Sequence, residues 1–157
     1  MQVQAAIPLL ILPPNNLPAD VSELLADFID ERFETHCSDL NCNQRIFDGK
    51  LEVRPGVFTV LAINRFDESN PNNKQRNRLI VPEVSTRIGP DLMGDLVTCI
   101  CHRGDVNRGH FVSYHQVDGQ WFLNDDSRPC SPALNPLEDR NIDESETIEL
   151  LFFKNNV

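Results

Sequence analysis

His110 and Asp125 stand on either side of a stretch that reads as a tight β-hairpin. Two runs, 110–117 and 120–126, are joined by Asp118–Gly119, a strong two-residue turn signal. With those two residues in the turn, His110 faces Ser127 and Val112 faces Asp125. Asp125 is then the diagonal neighbour of His110 on one face. Cα atoms so related sit about 7–8 Å apart, within reach of a side-chain hydrogen bond. Val112, Tyr114, Trp121 and Leu123 share that face and make it apolar, so an imidazole and a carboxylate there need each other as partners. By the same parity Asp126 points to the opposite face, and a bulge would exchange the two acids. A histidine oriented by a carboxylate is two thirds of a nucleophilic triad. The acid fixes the tautomer and stabilises the imidazolium, and the ring takes the proton of a serine or cysteine. A His–Asp pair is also a common structural hydrogen bond, so the pair by itself leaves both readings open.

The elements that must hold this pair are mostly strands. Residues 7–12 read as a short buried strand, stopped by Pro13 and Pro14. A helix follows. Asp20 can cap it, Glu23 can close a capping box, and Val21, Leu24, Leu25, Phe28 and Ile29 form one apolar stripe. Strands are expected at 46–53, broken at Asp48–Gly49, then at 57–64 and 78–81. The polar stretch 67–77 reads as a loop. Residues 95–102 are almost continuously apolar and suggest a central strand buried on both faces. Residues 128–145, rich in proline and acid, read as irregular, and 147–153 as a last strand. One helix followed by many strands indicates an α+β fold with a mainly antiparallel sheet.

The 157 residues suit one domain, large enough to bury roughly 68–70% of the unfolded surface. A formal net charge of -10, from 14 basic against 24 acidic residues, counts against nucleic acid and anionic membranes as partners and suits a basic protein surface. No apolar run approaches the ~20 residues of a membrane helix, and the start does not read as a signal peptide. Five cysteines are too few for a secreted disulfide scaffold, so the cytoplasm or nucleus is expected.

The stretch from Leu96 to Asp126 resembles the histidine box of ubiquitin-specific proteases, the papain-like cysteine deubiquitinases. That pattern is an apolar strand, H-x-G, a short loop, G-H-Y, a strand, then W and a D-D or N-D pair. This chain has LVTCICHRG, GHFVSY, Trp121 and DDS. The resemblance makes His110 the general base and Asp125, four residues after Trp121, its orienting acid. Asp126 and His102 become accessory candidates. PGVFTVLAINRF (55–66) is similar to the family's strand that ends in R-F. Residues 67–77 and 104–109 match its two blocking loops beside the channel for the ubiquitin tail. Gly104, Gly109, Phe111, Arg65 and Phe66 are the channel candidates on that basis. TIELLFF resembles the closing strand, and residues 7–42 resemble the approach to the second half of the fingers. The implied organisation is the C-terminal portion of a protease domain over 1–157. Residues 1–45 would hold the helix and part of the fingers, and 46–157 the palm sheet.

The family's nucleophile lies in a Cys box, G-N-T-C-Y-x-N, and these 157 residues contain none. Cys42, in LNCNQR, is a superficial lookalike. It lacks the preceding Gly–Asn and a following helix whose N-terminus would lower the thiol pKa. The oxyanion donor just before that thiol is missing with it. No cofactor is expected. Cys37 and Cys42 are zinc candidates only in part, because a closed structural site needs four ligands. Cys99 and Cys101 read as core thiols and Cys130 as a loop thiol. Phe111 stands where the family usually has tyrosine, and Asn124 where it has an aromatic. The expected partners are ubiquitin or a ubiquitin-like protein and a Cys box from elsewhere, another chain being one source. The competing expectation is an inactive ubiquitin-binding or scaffold module.

Overall fold

The computed structural model describes residues 7–14, 17–30, 33–36, 45–49, 56–67, 70–82, 85–89, 91–126, 128–138 and 146–156. Fourteen strands and one helix are assigned, which is the α+β, mainly antiparallel fold that the sequence indicates. The centre is an eight-stranded sheet. Its core strands are β5 (Phe58–Asn64), β10 (Leu92–Asp105), β11 (Arg108–Val117), β12 (Gln120–Asn124) and β14 (Glu146–Asn155). The order across it is β1 (Leu9–Ile11), β5, β14, β10, β11, β12, β13 (Ser131–Ala133), with β9 (Thr86–Gly89) paired to β10. All neighbours are antiparallel except β1 and β5. β1 thus joins the main sheet rather than standing apart from it.

The central strands bury one face by alternation. On β10, Cys99 and Cys101 are fully buried while Thr98, Ile100 and His102 are half-buried. The expectation of a strand buried on both faces is therefore corrected. The apolar run LVTCIC forms the core with one face and leaves the other only partly covered. Val112, Tyr114, Trp121, Leu151 and Phe153 complete that buried face. Leu10 and Leu12 are likewise buried while Leu9 and Ile11 are exposed, so β1 is half-buried rather than wholly so.

Helix α1 (Val21–Asp30) begins where the capping signal predicts. Asp20 Oδ1 accepts the backbone N–H of Ser22 at 2.7 Å and of Glu23 at 3.3 Å, satisfying two donors the helix cannot use. Val21 and Leu25 are buried, and Leu24, Phe28 and Ile29 pack against the core. The stripe thus rests against β1 and β9.

Three small pairings lie outside the main sheet. β2 (Ala19–Asp20) and β8 (Leu79–Ile80) are parallel, β3 (Phe33–His36) and β4 (Arg45–Gly49) antiparallel. β6 (Phe66–Asp67) and β7 (Asn70–Lys74) form the third. This last ribbon replaces the expected loop over 67–77. Its polarity misleads because Lys74 and Asn77 are buried with partners. Asn77 Nδ2 donates to the carbonyls of Pro13 and Leu17, at 3.0 and 2.8 Å. The expected loop over 104–109 is also a tight hairpin. Pairing runs on to Asp105–Arg108, leaving only Val106 and Asn107 in the turn.

Candidate active site

The β11–β12 hairpin has the register expected from its turn. Ser113 pairs with Asn124, Tyr114 with Leu123 and Val117 with Gln120, without a bulge. Asp118 and Gly119 have φ of 48° and 81°, the left-handed pair that closes a two-residue ribbon with the right twist. The consequence is direct. His110 Nε2 lies 2.6 Å from Asp125 Oδ1. The Asp125 side chain is 10% exposed and that of His110 42%, so the carboxylate is held inside and the imidazole is open to solvent.

Asp126 departs from strand parity. β12 ends at Asn124, the Arg128 N–H bonds the Asp125 carbonyl at 3.0 Å, and Asp126 takes φ 49°. This turn brings Asp126 Oδ2 to 3.5 Å from His110 Nδ1, on the same side as Asp125 rather than opposite it. Its side chain is 73% exposed.

Three residues that sequence reasoning missed complete the site, Arg103, Glu146 and Arg128. Arg103 is paired directly with His110 on one side and with Glu146 on the other, so Glu146, Arg103 and His110 form one row across three strands. Arg103 Nε donates to Glu146 Oε2 at 2.6 Å, its Nη2 to the Tyr114 hydroxyl at 3.4 Å, and its Nη1 lies 3.5 Å from Asp125 Oδ2. Arg128, mostly exposed, reaches the same oxygen at 3.3 Å. The hydrogen bond from His110, then the charges of Arg128 and Arg103, hold the Asp125 carboxyl below its usual range despite partial burial. Burial works against the Arg103 cation, but the bond to Glu146 outweighs it and its pKa rises. The available signal was the register itself. Once β10 and β11 pair through H-x-G and G-H, the residue between His102 and Gly104 must face His110.

His102 turns to the other side of the sheet. Its Nδ1 is 2.5 Å from Lys74 Nζ, whose ammonium also lies 2.9 Å from Glu149 Oε1. Nδ1 accepts from the ammonium, which leaves the proton on Nε2. Burial and the Lys74 charge lower the His102 pKa, against the pull of Glu149. The His102 ring packs on Phe111, with centroids 4.6 Å apart. Gly109 is required beside it, since a Cβ there would run into the His102 ring and the Arg103 carbonyl. Gly104 has φ 123°, and a Cβ would meet the Arg108 carbonyl. The two glycines let β10 and β11 close tightly next to His110. Phe111 and Phe66 are exposed, at 59% and 55%.

Arg65 is a correction to the channel candidates. It is buried, donating from Nε to the Ile148 carbonyl at 2.9 Å and from Nη1 to that of Asn77 at 2.6 Å. Burial lowers its pKa to about 10, with Glu149 opposing. Its guanidinium braces β5, β14 and the approach to β8 and is not open to an incoming chain.

None of the described thiols meets His110. Cys99 and Cys101 are fully buried free thiols, and Cys101 is pushed far above the usual thiol range by hydrogen bonding with the Cys99 thiol and by burial. Cys130 is exposed, with Sγ 3.8 Å from His115 Nε2, and His115 stacks on Phe122 across the face opposite His110. Cys37 and Cys42 lie outside the described residues. His110, Asp125 and Asp126 offer ligand atoms within 4.8 Å of one another, but two guanidiniums already share the Asp125 carboxylate.

A family model described as Ubiquitin carboxyl-terminal hydrolase matches residues 15–141, which cover the helix, the hairpin and both members of the dyad. The chain belongs to that family. It is 27% identical over 121 residues to Ubiquitin carboxyl-terminal hydrolase 8 of Saccharomyces cerevisiae, over 63% of this chain and 25% of that protein. The SAGA DUB module of Ubp8, Sgf11, Sus1 and Sgf73 bound to monoubiquitin contains a chain similar in fold. Its TM-score is 0.61 and its identity 25%, over 95% of this chain and 35% of that one. A second structure of the same SAGA DUB module gives a TM-score of 0.60 at 23% identity, over 96% of this chain and 33% of that one. The chain thus spans about a quarter of its curated relative and about a third of the similar solved chains.

Proposed function

We propose that this chain supplies the general-base half of a thiol-dependent ubiquitin hydrolase, with His110 as base and Asp125 as its orienting acid. The observation that carries the reading is the 2.6 Å contact between a half-exposed imidazole and a nearly buried carboxylate, within a chain of this family. A neutral imidazole has one N–H. With that proton on Nε2 and given to Asp125, Nδ1 keeps the lone pair that can accept a thiol proton. Asp126, exposed beside Nδ1, is the neighbour that a thiol would displace.

The nucleophile in this proposal belongs to a Cys box outside these 157 residues. A thiolate generated by His110 attacks the carbonyl of the ubiquitin C-terminal glycine. The departing amine takes the proton from the imidazolium, and water then hydrolyses the thioester. In the same reading the region is the C-terminal portion of a protease domain, with the palm sheet in 46–157. The exposed Phe111 and Phe66 are offered to the ubiquitin tail beside Gly104 and Gly109. The free thiols of Cys99, Cys101 and Cys130 suit a reducing compartment, the cytoplasm or nucleus.

A second reading has a specific observation behind it. None of the described thiols is both accessible and beside His110, so the chain alone is expected to hold ubiquitin without cleaving it. Titrating the isotope-labelled chain with ubiquitin separates the outcomes. Shift changes centred on residues 104, 109 and 111, without hydrolysis, are expected for the isolated chain. No shift changes at high ubiquitin concentration would remove ubiquitin as the partner.

A further inference from the structure

We propose that Arg103, fixed by Glu146, is a positioning residue for the His110–Asp125 pair. The proposal rests on the reading of that pair as base and orienting acid, and deepens it.

Residues directly opposite on neighbouring strands have Cβ atoms about 4.5–5.5 Å apart and share a face. Glu146, Arg103 and His110 are opposite one another in turn, and Asp125 lies diagonal to His110. The sheet therefore lays down a row of acid, guanidinium, imidazole and acid at the edge of the buried face. Each member spends a different atom. Asp125 gives Oδ1 to His110 and turns Oδ2 toward Arg103. Arg103 reaches Asp125 with Nη1 while its Nε is held by Glu146.

Glu146 is the unusual member. Its side chain is 1% exposed, and its Oε1 is buried with no hydrogen-bond partner among the described residues. A buried carboxylate oxygen left unpartnered is unfavourable. After burial, Glu146 is also what pushes the Tyr114 hydroxyl upward. What the residue gains is a 2.6 Å bond that locks one arm of the Arg103 fork. Tyr114, held in the core, supports a second arm. Arg128, in contrast, is 78% exposed and meets Asp125 from the next turn, so it adds charge without a fixed direction. Arg103 is the anchored cation. It keeps Asp125 in the rotamer that presents Oδ1 to the imidazole.

The test uses the 157-residue chain, where ring signals report on His110 without any need for turnover. The Nε2–H proton of His110 is expected to be slow to exchange in the parent chain. Arg103→Gln and Glu146→Gln should each speed that exchange by about tenfold or more, and Arg103→Lys should restore it only in part, because an ammonium lacks the fork. The Glu146→Gln and Arg103→Gln double variant should be no worse than either single one, since both break one chain of contacts. In a full-length active protein the same variants should lower kcat with KM nearly unchanged. Folding is checked by the dispersed Trp121 signal. If Arg103→Gln fails to fold, Arg103→Lys and Glu146→Gln carry the test. Folded variants whose His110 exchange matches the parent would overturn the proposal. Failure to bind or cleave ubiquitin would instead strike the function proposed above and leave this geometry standing.

Discussion

At His110 the chemistry turns on which neighbour owns each ring nitrogen. Asp125 takes Nε2, so the acid needs an oxygen that accepts, more than it needs a charge. Asp125→Asn can keep that oxygen, whereas Asp125→Ala cannot. In a full-length active protein Asp125→Ala is expected to cut ubiquitin–fluorophore hydrolysis by about 100-fold or more, within the range of a lost acid–base partner. Asp125→Asn should retain clearly more activity. Equal losses in the two variants would show that charge, not tautomer, is what Asp125 supplies. Gly109 acts at the same scale through size. A methyl group there must displace the His102 ring and the Arg103 carbonyl. Gly109→Ala should destabilise the chain by about 1–3 kcal/mol in denaturant unfolding, the usual cost of overpacking. An unchanged midpoint would mean that β10 and β11 can separate freely at this point.

The β6–β7 ribbon is tied to the sheet through Lys74. Lys74 reaches from β7 to His102 on β10 and Glu149 on β14. Burial and the Lys74 ammonium both disfavour a second cation, so the folded state holds the His102 pKa below 6.5. Stability from this contact is complete above that value and is lost as pH falls through the lowered folded pKa. Thermal unfolding should therefore show a fall in Tm on acidification below about pH 6.5, and His102→Gln should flatten it. A parallel fall in both proteins would assign the effect elsewhere. How far the elements could be read from sequence follows from the same contacts. The β11–β12 hairpin was legible because Asp118–Gly119 fixes the turn, the turn fixes the register and the register fixes the His110–Asp125 diagonal. Helix α1 was legible from Asp20 and its apolar stripe. The ribbon over 66–74 was not, because the burial of Lys74 depends on His102 and Glu149, distant in sequence. Arg65 was misplaced for the same reason. An arginine after an apolar strand looks available, and only the carbonyls of Ile148 and Asn77 reveal that it is spent.

For the whole molecule, the sheet ends in the His110–Asp125 pair with no thiol beside it among the described residues. Cys99 and Cys101 lie in the core and Cys130 on the face opposite His110. The isolated chain is accordingly expected to resist a covalent ubiquitin probe at every cysteine, as read by mass shift. Labelling of Cys42 or Cys130 would identify a nucleophile that the sheet geometry does not provide. The acidic balance, -10 overall, leaves the surface suited to a basic partner, and ionic strength should weaken ubiquitin binding accordingly. The most direct measurement is hydrolysis of ubiquitin–fluorophore by a full-length protein that includes both this chain and a Cys box, with and without His110→Ala. The account predicts cleavage by the parent protein and a loss of about 10²–10⁴-fold in the variant. Cleavage that survives His110→Ala undiminished would contradict it.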